Sequence, residues 1–244
     1  MSRAYPRRVD WNLYDAALFD LDGVLTPTAL VHMRAWVQMF NDFLTAEGVV
    51  EPYTEEDYFR YVDGKPRYDG VRSFLASRGI TLPEGAPEDA PDARTVSGLG
   101  NRKNADFQAI LDQEGVEPYP GSVALVEALE ARGTAMAVVS SSRNARSVLT
   151  AAGLLGHFEI VVDGAVAREQ ALPGKPAPDT FLSAAGRLGV SPDRAVVFED
   201  ALSGVEAGRA GRFGLVVGVD RGAGATALTE HGADVVVQDL QELV

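Results

Sequence analysis

Short, wholly apolar runs that stop abruptly at polar residues constrain this chain most. Ala16-Ala17-Leu18-Phe19 is cut off by Asp20-Leu21-Asp22-Gly23. Ala135-Met136-Ala137-Val138-Val139 runs into Ser140-Ser141-Ser142-Arg143-Asn144, and Ala195-Val196-Val197-Phe198 into Glu199-Asp200. Ile160-Val161-Val162, Gly214–Val219 and Asp234–Val237 are further runs of this kind. A strand without polar alternation is buried on both faces. Helical patterns separate the runs: Ser122–Arg132, Arg143–Ala152, one near Pro178–Leu188 and one near Ser203–Ala210. That alternation predicts an α/β fold with a parallel sheet covered by helices on both faces. In such sheets ligands bind beyond the carboxyl ends of the strands, where the polar clusters of this sequence fall.

The stretch between the first and second strands lacks strand patterning. It predicts helices over about Leu30–Leu44, Tyr68–Ser77 and Asn101–Gln113, with Pro83–Asp92 as an exposed loop rich in Pro, Gly and acid. The expected organisation is a Rossmann-like core of residues 1–28 and 117–244, interrupted by a helical cap of residues 29–116. An insertion placed just after the first strand could act as a lid.

Composition narrows the function. The 244 residues are 46% apolar and 23% charged, as in an ordinary soluble globular protein, and carry a net charge of −13. Such an acidic chain is a poor binder of polyanions, so no nucleic-acid partner is expected. The basic cluster Arg3, Arg7 and Arg8 reads as a solvated tail. Without cysteine there are no disulfides, no thiolate catalysis and no Cys-ligated zinc. No apolar run approaches the ~20 residues of a membrane span. No hydrophobic stretch precedes the first strand, so no secretory signal is expected. The expectation is a cytoplasmic monomer with no membrane partner.

Four clusters carry chemistry. Asp20 and Asp22, two apart at a strand's end, can reach one site, where one carboxylate attacks an electrophile and the other moves a proton. Asp and Gly also serve as plain turn residues. A calcium loop fits poorly, because Leu25 and Val31 occupy the positions where an EF-hand needs Gly and Glu. Ser140–Asn144 offers hydroxyls and backbone N–H groups at a strand-to-helix junction, suited to an anion or to helix capping. In Gly174-Lys175-Pro176-Ala177-Pro178-Asp179 the prolines stiffen the chain around a lysine that could offset phosphate charge, or that merely sits on the surface. Glu199 and Asp200 are costly to bury without a cation or donor, which points to Mg²⁺; Asp200 could instead cap a helix.

The order of DLDGVLT, SSSRN, GKPAPD and FEDALSGV resembles the haloacid dehalogenase superfamily of phosphotransferases, over Ala16–Thr28 and Tyr119–Val237. The resemblance implies Asp20 as nucleophile, Asp22 as general acid/base, and Ser140 and Lys175 as holders of the transferring phosphoryl group. It implies Mg²⁺ bound by Asp20, Asp200 and the backbone carbonyl of Asp22, with Glu199 in or next to that shell.

The inserted cap and its motifs are most similar to the β-phosphoglucomutase-like subfamily. That likeness implies Thr28, His32 and Trp36 near the sugar. It makes Val62–Gly70 a substrate loop containing Gly64, with Arg67 on the non-transferring phosphate. Lys103 and Asn144 join Arg67 in that role, with Ser141 and Arg143 alongside. The implied partners are small sugar phosphates, glucose 1-phosphate and glucose 1,6-bisphosphate. A sugar-phosphate phosphatase on the same scaffold is the alternative, and a non-catalytic sugar-phosphate binder the most distant one. Pro27, Asp63, Gly70 and Arg143 depart from the subfamily pattern and leave the sugar open.

Overall fold

The computed structural model describes residues 9–244. The Arg3, Arg7 and Arg8 cluster lies outside the described residues. The chain divides into two compact units: one comprises the chain up to Pro27 with Glu117–Val244, the other Thr28–Val116.

The first unit is built on a six-stranded parallel sheet of order β3-β2-β1-β4-β5-β6. Its strands are β1 (Ala16–Phe19), β2 (Ala135–Val139), β3 (Ile160–Val162), β4 (Ala195–Glu199), β5 (Leu215–Val219) and β6 (Val235–Val237). Every β1 side chain is fully buried, which is why the strand has no polar position. Phe19 pairs in register with Val138 of β2 and with Phe198 of β4. The chain leaves β1 toward β2 on one side and later returns to β4 on the other. This reversal at β1 opens a crevice beyond the strands' carboxyl ends.

The helices of the two units, in chain order, are α1 (Thr28–Ala46), the single turn α2 (Glu55–Asp57), α3 (Arg67–Ser77), α4 (Val96–Glu114), α5 (Pro120–Ala131), α6 (Ala145–Ala151), α7 (Gly164–Glu169), α8 (Asp179–Leu188), α9 (Leu202–Ala210) and α10 (Ala225–Glu230). Phe181 and Ala184 of α8 and Val205 and Ala207 of α9 pack into the sheet core with Leu18, Val139 and Val197. No helix among the described residues is long and apolar enough to cross a membrane.

The second unit, α1 to α4, contains no strand among its residues. Trp36, Met39, Phe40 and Phe43 recur at helical spacing on α1 and are buried. Phe40 lies at the centre of an aromatic cluster, with ring centroids 5.2 Å from Trp36, 4.9 Å from Tyr53 and 4.2 Å from Phe74.

Two expectations need correction. First, α4 begins at Val96, not Asn101, capped by the Thr95 hydroxyl, which accepts from the Gly98 N–H at 2.9 Å. Gly98 and Gly100 weaken the helical pattern of its first turns. Second, α6 begins at Ala145, leaving Arg143 and Asn144 in the turn before it. The Pro83–Asp92 segment is the expected exposed loop, and it is tightly tied. The Asn101 amide donates to the carbonyls of Pro87 (3.0 Å) and Asp89 (2.9 Å), and the Tyr68 hydroxyl donates to the other end of that amide (3.0 Å). Arg72 grips Glu84 through Nε and Nη2.

Candidate active site

The site forms where β1, β2 and β4 end together. The Asp20 N–H donates to the Phe198 carbonyl at 2.9 Å, so the chain is still in the sheet when it reaches its first carboxylate. Lys175, carried by the turn before α8, is buried against it. Its ammonium donates to Asp20 Oδ1 at 2.5 Å and to the Val139 carbonyl at 3.1 Å, and it pairs with Glu199 Oε1. Ala177 N–H donates to the Gly174 carbonyl at 3.0 Å, folding the Lys175-Pro176 turn. A lysine that read in isolation as a surface residue is thus the buried counter-ion of the site.

Glu199 is fully buried. Its second oxygen accepts from the backbone N–H groups of Asp200 (3.1 Å) and Ala201 (3.2 Å), just before α9. Both Glu199 oxygens are therefore engaged. Asp200 is also buried and packs against Gly23: a Cβ at Gly23 would lie 1.7 Å from Asp200 Oδ2. Gly23 also has a φ of +88°, so two independent constraints call for glycine in the Asp-Gly turn.

Asp20, Glu199 and Asp200 bring oxygens within 4.8 Å of one another. The Asp22 carboxylate does not join this group. Three carboxyl groups and the Lys175 ammonium thus share one buried place. Burial pushes the Asp20 carboxyl well above its usual range; Lys175 opposes this, while Glu199 and Asp22 add to it. Burial also disfavours the Lys175 cation, but Asp20 and Glu199 outweigh it and hold that ammonium above its ordinary pKa. Clustered carboxylate oxygens suit a hard divalent cation, which would also favour ionised Asp20.

Ser140 follows β2. Its N–H donates to the Val162 carbonyl at 3.0 Å, its hydroxyl donates to Asp22 Oδ2 at 3.4 Å, and its oxygen accepts from the Ser142 N–H at 3.0 Å. Asp22, less buried than Asp20, thus stands beside the serine turn. Ser141 and Asn144 are half-buried there and Arg143 is exposed. The structure brings together Asp20, Asp22, Ser140, Lys175, Glu199 and Asp200, at positions spread over 180 residues of sequence.

In the helical unit the expected substrate residues form pairs of their own. Arg67 Nη2 donates to Asn104 Oδ1 at 2.7 Å. Lys103 is buried, contacts His32 Nδ1, and lies 5.1 Å above the Trp36 ring and 5.0 Å above Phe107. His32 stacks on Phe107 with centroids 4.1 Å apart. Thr28 is buried at the start of α1, and half-buried Gly64 takes a φ of +68° in the turn before α3. Trp36 is only 4% exposed and sits in the aromatic core of this unit.

Sequence reading missed the groups that hold the nucleophile turn. The Ser122 hydroxyl donates to the Val24 carbonyl at 2.6 Å, and Arg221 Nε to the Gly23 carbonyl at 2.9 Å. Both act across long stretches of chain, and no local pattern marks them.

A family model described as haloacid dehalogenase-like hydrolase matches residues 14–212. The β-phosphoglucomutase of Mycobacterium bovis is 53% identical over 238 residues, 94% of this chain and 91% of the relative. The validoxylamine A 7'-phosphate phosphatase of Streptomyces hygroscopicus subsp. limoneus is 31% identical, covering 95% of this chain and 96% of the relative. The crystal structure of β-phosphoglucomutase from Clostridium difficile superposes with a TM-score of 0.77 at 24% identity, over 95% of this chain and 93% of that one, and speaks for the fold. The chain is an enzyme that belongs to the haloacid dehalogenase-like hydrolase family and, within it, to the β-phosphoglucomutase-like members.

Proposed function

We propose that this protein is a Mg²⁺-dependent β-phosphoglucomutase. It interconverts β-glucose 1-phosphate and glucose 6-phosphate through glucose 1,6-bisphosphate, as a cytoplasmic monomer. The single observation that carries phosphoryl transfer is buried Asp20 held by Lys175 beside Glu199 and Asp200. The choice of sugar is supported by the 53% identical relative.

Asp20 and Asp200, with the Asp22 carbonyl, would hold the Mg²⁺. Glu199, whose oxygens already serve Lys175 and two backbone N–H groups, stands behind them. Bound there, the cation would offset carboxylate charge and draw negative charge from the phosphoryl oxygens.

The chain's own residues do the rest. An Asp20 oxygen bonds to phosphorus as the bond from phosphorus to the sugar oxygen breaks. Asp22, as the carboxylic acid, gives its proton to that leaving oxygen. In the reverse sense the Asp22 carboxylate takes the proton of a sugar hydroxyl, which attacks the phosphorus of phospho-Asp20 and expels the Asp20 oxygen. Phosphorylated enzyme thus converts β-glucose 1-phosphate to the bisphosphate. Asp20 then removes the phosphoryl group from C1, leaving glucose 6-phosphate. Lys175 and the Ser140 hydroxyl counter charge on the phosphoryl oxygens.

A mutase must also hold the phosphate that is not transferred. Arg67, oriented by Asn104, suits this role because a guanidinium fork matches two phosphate oxygens. Lys103 and Asn144 serve the same phosphate, with Ser141 and Arg143 beside it. Thr28, His32, Trp36 and Gly64 serve the sugar.

A second reading, a sugar-phosphate phosphatase, is favoured by the 31% identical phosphatase relative. One tube separates the two. The protein is mixed with β-glucose 1-phosphate, Mg²⁺ and a trace of glucose 1,6-bisphosphate, and glucose 6-phosphate and free phosphate are both measured. Glucose 6-phosphate in large excess over phosphate is the expected result. Phosphate without glucose 6-phosphate would overturn the mutase in favour of the phosphatase.

A further inference from the structure

The Asp20–Thr26 turn carries both the nucleophile and the proton-transfer carboxylate, and its internal bonds engage the Gly23 N–H rather than the Gly23 carbonyl. Leu25 and Thr26 N–H donate back to the Leu21 carbonyl at 2.9 and 3.1 Å, and Gly23 N–H to the Thr26 carbonyl at 2.8 Å. These bonds close the turn but leave the Gly23, Val24 and Leu25 carbonyls to be held from outside. Each has a donor. Tyr119 N–H reaches the Leu25 carbonyl at 3.0 Å, Ser122 Oγ the Val24 carbonyl at 2.6 Å, and Arg221 Nε the Gly23 carbonyl at 2.9 Å.

Arg221 is the most consequential of the three. It follows β5, and its guanidinium carbon lies 3.9 Å from the centroid of the Tyr119 ring. Its Nη1 donates to the Gln238 carbonyl at 2.9 Å, beyond β6. One planar group therefore stacks on the residue preceding α5, bonds the segment after β6 and grips the nucleophile turn. The Asp200 carboxylate also closes against Gly23. A glycine at positive φ can turn its carbonyl at small cost, so its direction is set by what it touches. The gripped carbonyl belongs to the Gly23–Val24 peptide, so holding it limits the Gly23 ψ, and through that one residue the placement of the Asp22–Gly23 peptide with its Asp22 carbonyl.

We infer that Arg221 is a positioning residue of the phosphoryl-transfer site: it fixes the Gly23 carbonyl and thereby aims Asp22 alongside Asp20. The inference rests on the phosphoryl-transfer reading of Asp20 and Asp22 given above. It is independent of the sugar, because Arg221 touches only the turn and its supports. Lysine could keep a cation over Tyr119 and one bond to Gly23, but not the fork to Gln238 as well.

The test compares wild type, R221A and R221K in steady-state hydrolysis of p-nitrophenyl phosphate with Mg²⁺, and in backbone hydrogen exchange. R221A is expected to lower kcat by about 10- to 100-fold, the scale of a displaced catalytic group, with KM changed by less than about threefold. Exchange should quicken over residues 21–26 and stay unchanged in the β-strands. R221K should restore about half or more of the lost rate on a logarithmic scale. A kcat within about twofold of wild type, a loss explained by a smaller folded fraction, or exchange raised across the whole sheet would overturn the positioning role. D20N tests the reading beneath it: turnover retained in D20N would refute Asp20 as nucleophile, while hydrogen exchange in R221A would still decide the clamp.

Discussion

Both units carry exposed ion pairs, Arg194–Asp15 of the sheet unit among them, but they differ in their most buried charges. In the sheet unit the decisive charges are buried: the side chains of Lys175, Asp20 and Glu199 are 2%, 8% and 0% exposed. In the helical unit most ion pairs stand in solvent, as with Arg34–Glu114 at 55% and 50%, Arg72–Glu84, Arg94–Glu47 and Arg102–Asp42. Exposed pairs contribute little, whereas a buried charge that loses its partner is costly. The buried cluster of the sheet unit therefore constrains Lys175, Asp20 and Glu199 through one another.

This contrast ranks the effects of substitution. The largest is D20N, which removes the nucleophile while keeping the shape. Glucose 6-phosphate formation and phosphate release should both fall by on the order of 10⁴-fold or more. K175M comes next. It leaves Asp20 and Glu199 buried without their ammonium, so denaturant titration should record a loss of about 3–5 kcal/mol in the metal-free protein, along with loss of turnover. A smaller loss would mean that solvent reaches these carboxylates and that the contrast between the units is overstated.

R67A sharpens the comparison from the other side. A charge-assisted bond to the non-transferring phosphate is worth about 1.5–3 kcal/mol. Mutase kcat/KM should therefore drop by about 10- to 100-fold, with p-nitrophenyl phosphate hydrolysis within about threefold of wild type. Equal losses on both substrates would remove Arg67 from that role. The smallest effect belongs to R34A, which breaks an exposed pair to Glu114. Its stability change should be below about 1 kcal/mol, with unchanged turnover.

Much of the sheet was legible because burial on both faces writes itself as an unbroken apolar run. The observed β1, β2 and β3 have the expected bounds, and β4 extends only to Glu199. The acidic and hydroxyl clusters were legible for the same reason, since polar residues directly after such runs must fall at the strands' ends. Lys175 was harder: nothing near it in sequence says that its partners are Asp20 and Glu199, and only the resemblance raised it above a surface lysine. Glu199 pointed to metal, and its work for Lys175 and the start of α9 emerges only in three dimensions.

Elements with little periodicity stayed hidden. The short α7 and α10 and the turns over Glu55–Val62 offer too few residues for a repeat. The early start of α4 is masked by Gly98 and Gly100. The bonds of Arg221 and Ser122 to the nucleophile turn are wholly non-local, and no spacing rule could have found them.

The central claim is that Asp20 carries the phosphoryl group. Phosphorylated enzyme, prepared with excess glucose 1,6-bisphosphate and quenched rapidly in acid, is reduced with borohydride and its peptides are sequenced by mass spectrometry. An aspartyl-phosphate is reduced to homoserine, so the account predicts homoserine at position 20 and unmodified aspartate at position 22. Homoserine at position 22 or 200, or a phosphoryl group recovered on Ser140, would contradict it.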